Sequence, residues 1–332
     1  MDPVEEFGGI TVNAWWHRVV LLAFILPAAA CSTADYSKPV NDFAAATDKA
    51  QTALSELNTQ VTEAYRQVLE KRILSGEVFL TPDDGGCQVT SQRCRLIAVD
   101  KGNSREFYPP RPPLARMTQV MAEINLYAAN LKAVVEADTA SKVEANVNAA
   151  LGSVQTLAQT VAEARAGAGA QPISIPQFAT PAGEAINWII GQYVASVKLK
   201  GLQNATGAAK QVVHDATELF MITSVFASDV PKADLAEEVS GAITAFREAR
   251  NESNLNKLTQ AADKYDALLV SAPPQLFKSL GAAHDALAEN LQGEPVTLVT
   301  AIARIEAFAN EASKVAKILE DLRSLKVDKK VK

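Results

Sequence analysis

From residue 40 onward the chain places apolar side chains three or four positions apart, with charged residues filling the gaps. Phe43, Leu54, Leu57, Val61, Tyr65, Val68 and Leu69 form one such stripe and predict a helix over 40–74, roughly 50 Å long at about 1.5 Å per residue. Val120, Ile124, Tyr127, Leu131 and Val134 predict a second over 114–137. Asp138 reads as the cap of a third, which runs through Val143, Val147, Leu151, Val154, Leu157 and Val161 to Gly167. Glycine and proline then interrupt the pattern over 167–180, the best boundary between an N-terminal part, 40–166, and a C-terminal part, 181–332.

Thr180 followed by Pro181 reads as an N-cap with proline in the first turn, opening a helix to Ser228. Its two ends are apolar on every side, with Ile186, Trp188, Ile189, Ile190, Tyr193, Val194 and Val197 at one and Leu219, Phe220, Met221, Ile222, Val225 and Phe226 at the other. Such helices are normally buried. Between them, 198–207 is polar with two glycines, so the helix either crosses a solvated waist or breaks there. Pro231 starts the next helix, with Leu235, Val239, Ile243 and Phe246 on one face, and 251–254 kinks or divides it before 255–270. Pro273 and Pro274 open a shorter helix to Leu291, and Gly293 and Pro295 make the last turn. The final helix, to Leu325, keeps a three-four seam of Leu298, Ile302, Ile305, Phe308, Ala312, Val315, Leu319 and Leu322. That seam either receives a partner or packs inside its own bundle, and the other amphipathic helices favour the second.

The β signal is confined to 76–100. Val78-Phe79-Leu80 and 94–99 flank a turn-rich segment and predict a two-stranded hairpin. Cys87 and Cys94 lie within it, with six residues between them and no histidine or third cysteine nearby; a disulfide is the expected state of such a pair in an exported chain. The proline-rich 108–113 is expected to be a stiff extended link.

Export is suggested by the first thirty residues. The twelve-residue apolar run from Val19 to Ala30 is too short to span a bilayer and suits a signal-peptide core, and Ala28-Ala29-Ala30-Cys31 is similar to the bacterial lipobox. The resemblance implies removal of 1–30, acylation of Cys31 as the new N-terminus, and a short linker, 31–39. Ser32 after that cysteine, by resemblance to lipoprotein sorting signals, implies the outer membrane, facing the periplasm. Asp2, Glu5 and Glu6 do not suit the start of a signal, whereas initiation at Val12 leaves one without acids.

Composition agrees with helices and narrows the function. Hydrophobic residues are 48% but aromatics only 6%, which favours closely packed helices over a sheet core. Removing 1–30 takes away one arginine and three acids and leaves 31 basic against 35 acidic residues, net −4, which argues against nucleic-acid binding. The basic tail after Leu325 suits a helix C-terminus. His214 with Glu218, and His284 with Asp285 and Glu289, are the nearest approach to metal-ligand spacing, yet the Glu-x-x-His pairs of bundle di-iron sites are missing, so neither metal nor cofactor is expected. No nucleophile elbow, zinc-protease pair or phosphate loop occurs in the sequence. The expectation is an all-α, elongated bundle with one small disulfide-bonded hairpin. It is anchored in the membrane by acyl groups on Cys31 and acts as an interaction or scaffold component with an envelope protein partner. A binding module holding an apolar or cell-wall ligand is the alternative, and an enzyme comes last.

Overall fold

A computed structural model describes residues 36–83, 96–112, 114–167, 192–270, 273–293 and 296–327. The first stripe forms helix α1, Ser37–Leu74, and buries Val40, Phe43, Leu54, Leu57 and Val61. It ends where Gly76, at φ 74°, turns the chain back so that Gly76 and Glu77 donate to the carbonyls of Ile73 and Arg72. Three strands follow, β1 Val78–Pro82, β2 Leu96–Asp100 and β3 Arg105–Tyr108. The remaining helices are α2 Ala115–Glu136, α3 Ala140–Gly167, α4 Gln192–Glu248, α5 Glu252–Val270, α6 Pro273–Gln292 and α7 Leu298–Val327. The described chain is thus mostly helical with a small antiparallel sheet.

Six helices close into a ring, α1–α2–α3–α4–α6–α7 and back to α1, each packing on the next. Within it α1 and α2 are antiparallel, since Asn58 Oδ1 accepts from the Leu114 N–H at 3.0 Å while Thr47 Oγ1 meets Asn125 Oδ1 at 3.1 Å. By contrast α3 and α4 run side by side in the same direction, with Val147 against Gly201 near their starts and Arg165 3.1 Å from Glu218 further along. The final seam is spent internally: Ile305, Phe308, Ala312, Val315 and Leu319 are buried where α7 meets α1 and α6. The starts of α1, α3, α4 and α7 therefore lie together, and Tyr36 Oη ties the first turn to Ala195 O at 3.3 Å. The sheet, following the end of α1, lies at the opposite end.

Four expectations are corrected. The cap of α3 is Thr139, whose Oγ1 accepts from Lys142 N at 3.3 Å, while Asp138 pairs with the Lys142 ammonium at 2.8 Å instead. The helix expected to end at Ser228 continues through Pro231 to Glu248, roughly 85 Å in all. A single proline costs one backbone hydrogen bond and about 3 kcal/mol; the partner for this stretch is α5, which folds back along it, with Lys264 Nζ 2.9 Å from Glu238 Oε1. Asn251 divides the two helices by capping the Asn254 N–H at 2.9 Å.

The third correction concerns the polar waist, which is unbroken, and which is solvated on its outer face at Lys200 and Asn204 but packed on the other. Leu202, Ala205 and Thr206 are fully buried there, and the amides of Gln203 and Gln292 bond the carbonyls of Leu291 and Gln203 at 2.8 and 3.0 Å. Gly201 permits α3 to approach: a Cβ on it would stand 2.3 Å from Val147 Cγ2. A valine in a helix has essentially one rotamer and cannot swing aside. Gly201→Ala is therefore expected to lower stability by about 1–3 kcal/mol through overpacking, where an open helical site would gain about 1. Urea midpoints of Gly201→Ala and of Gly201→Ala with Val147→Ala test this; a single variant more stable than the parent would refute the close contact.

The fourth correction is the sheet, which has three strands in the order β1-β2-β3 rather than two. Val78 pairs with Asp100 and Pro82 with Leu96, as the hairpin reading requires. The chain then turns at Asp100, whose Oδ1 accepts from the N–H groups of Gly102 and Ser104 at 2.9 and 2.8 Å, and adds Arg105–Tyr108 antiparallel to β2. Cys31, Cys87 and Cys94 lie outside the described residues, so the expected acylation and disulfide are carried forward as proposals.

Candidate functional site

The two histidines singled out by spacing are separated by the fold. His214 is exposed on α4, near Asp285 and across from the Lys210–Glu289 pair at 3.6 Å. His284 points the other way, into the bundle, and is fully buried. Its Nε2 lies 3.2 Å from Tyr127 Oη, its ring 5.8 Å from both the Phe43 and Tyr127 rings, and its Nδ1 has no hydrogen-bond partner. Burial, with the Lys210 charge adding to it, pulls the His284 imidazole down to about 4 and pushes the Tyr127 hydroxyl well above its ordinary value. A neutral imidazole with one hydrogen bond is what remains. Among the described residues no group of three His, Cys, Asp or Glu side chains is placed to hold a metal.

The apolar ends of the long helix are likewise used for packing where they are described. Phe220 stacks at 4.6 Å on Phe277, and Leu219 is buried beside it, while Val194 and Val197 lie half-buried against the core. Ile222, half exposed, departs from the expectation that this end is buried all round. A cleft of about 320 Å³ lies elsewhere, between α4 and α5, over Gly241, Ala242, Ala245, Asn254 and Lys257.

Surface chemistry concentrates on the sheet. Strand alternation turns Val78, Ala98 and Tyr108 toward α1, where they pack on Leu69 and Ile73 and where Tyr108 Oη donates to Glu70 at 3.1 Å. The same face carries Asp100, 3.8 Å from Arg72 Nη2. The Asp100 carboxyl is held below the usual range, first by the Ser104 N–H and also by that of Gly102. The outward face carries two rows set by the register, Phe79–Val99–Arg105 and Thr81–Ile97–Phe107. Arg111 lays its guanidinium over the Phe107 ring at 3.9 Å from the centroid. Phe79 is 61% exposed, Leu80 40%, and Leu74 at the end of α1 88%. Sequence reasoning missed this face because β3 is only four residues long and its order, two charged residues then two aromatics, does not alternate; the aromatic pair Phe107 and Tyr108 after the Asp100 turn was the available signal.

No family model, curated protein or solved structure matches the chain.

Proposed function

We propose that this chain is a lipid-anchored scaffold of the bacterial envelope, tethered through acyl groups on Cys31 and holding a protein partner at the end of the bundle remote from the tether. One observation carries the reading: the exposed apolar side chains Leu74, Phe79 and Leu80 all lie at the end of the bundle opposite Tyr36, five residues after Cys31, with Phe79 on the outward face of the sheet. Exposed apolar side chains gathered at one end of a bundle are a feature of interaction sites. A bundle of about 57 Å along α1 then acts as a spacer between membrane and partner. The lipobox resemblance supports the tether, and Ser32 supports the outer membrane. No described helix is long and apolar enough to cross a membrane.

The test is recovery of the full-length chain from envelopes in mild detergent. A stoichiometric complex with an envelope protein is expected on native electrophoresis, lost when Phe79 and Leu80 are both replaced by serine. A chain that migrates alone, before and after chemical cross-linking, would end the scaffold reading.

In the same reading Cys87 and Cys94 are bridged, closing the loop between β1 and β2. A loop this short is worth on the order of 2 kcal/mol, through restriction of the unfolded chain. Reduction should therefore loosen the sheet and leave the far-ultraviolet helical signal unchanged. Unreduced peptide mapping decides it, and two freely alkylated thiols in protein from the envelope would contradict the bridge.

A further inference from the structure

The two faces of the distal sheet differ in charge. Acids Asp100 and Glu106 share the face that packs on α1, and Asp100 is paired there with Arg72. The outward face carries Arg111 and an Arg105 that is already engaged, with no acid in either of its rows. Its β1 side is uncharged, with the exposed Phe79 opposite Val99 and Thr81 opposite the buried Ile97. Arg111 is exposed and held flat by Phe107, and among the described residues no carboxylate pairs with it. A stacked guanidinium keeps its N–H edge free in a fixed plane, which is the geometry that receives a carboxylate in two parallel hydrogen bonds.

We propose that this outward face binds an acidic segment of a protein partner, a side-chain carboxylate engaging Arg111 and a neighbouring apolar side chain covering Phe79 and Val99. The inference rests on the scaffold reading and supplies the chemistry of its partner. Charge complementarity selects the acidic character, and the aromatic surface selects a protein: arginine and aromatic residues together are the composition of interface hot spots, whereas a purely ionic polymer leaves Phe79 in water.

The experiment places a photoreactive benzoylphenylalanine at position 79 of the full-length, acylated chain in its own cells, with the same probe at Leu255 on the α4–α5 hairpin as a second reporter. Irradiation is expected to attach position 79 to a protein whose cross-linked peptide carries aspartate or glutamate within a few residues. Arg111→Glu should cut that yield by about tenfold or more, the effect of placing like charges together, and Arg111→Lys by less. An unchanged thermal midpoint for Arg111→Glu establishes that the fold is intact. Yield indifferent to Arg111→Glu, adducts only with lipid or polysaccharide, or a cross-linked peptide without acids would overturn the inference. Capture of a protein at 255 but not at 79 would leave the scaffold reading standing and remove this site, and capture at neither position would remove both.

Discussion

Replacing Cys31 with alanine is expected to abolish fatty-acid labelling and to leave an unprocessed precursor that no longer reaches its membrane. The expectation follows from the arithmetic of acyl anchors. Each buried methylene contributes about 0.8 kcal/mol, one chain holds a protein only reversibly, and two or more hold it stably. Among the described residues no helix is apolar enough to substitute for them. Labelling with a clickable palmitate, followed by fractionation of the envelope, reads both consequences in one experiment. Label that persists on the Cys31→Ala chain would remove this residue as the anchor. A further consequence concerns height: without the tether the Phe79 face is no longer fixed at the bundle's length from the membrane, so capture of an envelope partner should fall even though the site itself is intact.

Helical periodicity made the bundle legible because each ring helix buries a single continuous stripe. Of the residues named from that stripe in α1, Phe43, Leu54, Leu57, Val61 and Leu69 are buried and Tyr65 and Val68 half-buried, while Val120, Ile124, Tyr127, Leu131 and Val134 in α2 are all buried. What periodicity does not carry is which close contacts a glycine serves. Gly201 and its polar neighbours look like a break in a linear reading, whereas the fold uses the missing side chain to seat Val147 and the flanking glutamines to bond carbonyls of α4 and α6. Pro231 misled for a related reason, since a local rule about helix starts yields when a second helix packs along the stretch.

The candidate site was less legible than the fold. The hairpin strands were read from β-branched and aromatic residues next to turn signals, but the face that distinguishes the sheet depends on β3 and on Arg111 folding back over Phe107. Spacing within one helix also cannot tell which way a histidine points when acids and apolar residues alternate around it. His284 sits beside Asp285 and five residues before Glu289 in sequence, and turns away from both into the aromatic core.

That orientation makes the bundle's stability sensitive to mild acid. In the unfolded chain His284 titrates near 6.5, and in the folded one near 4, so below pH 6.5 the unfolded state binds the proton that the folded state refuses. Stability is complete above about pH 6.5 and declines as the pH falls, the loss from this one residue levelling off near pH 4 at on the order of 3 kcal/mol. Asp285, whose carboxyl is raised by partial burial, works in the opposite direction, so the contribution of His284 has to be isolated by substitution. Removing the histidine alone strands the Tyr127 hydroxyl, which costs about 1–3 kcal/mol, whereas replacing both partners with apolar groups can be nearly neutral. The informative variant is therefore His284→Leu combined with Tyr127→Phe. Urea midpoints measured from pH 7.5 to pH 4.5 are expected to fall steeply for the parent and much less for the double variant, the two curves separating below pH 6.5. Parallel curves across that range would mean that His284 accepts its proton in the folded state, and that the core around Phe43 and Tyr127 admits water or an acid to receive it.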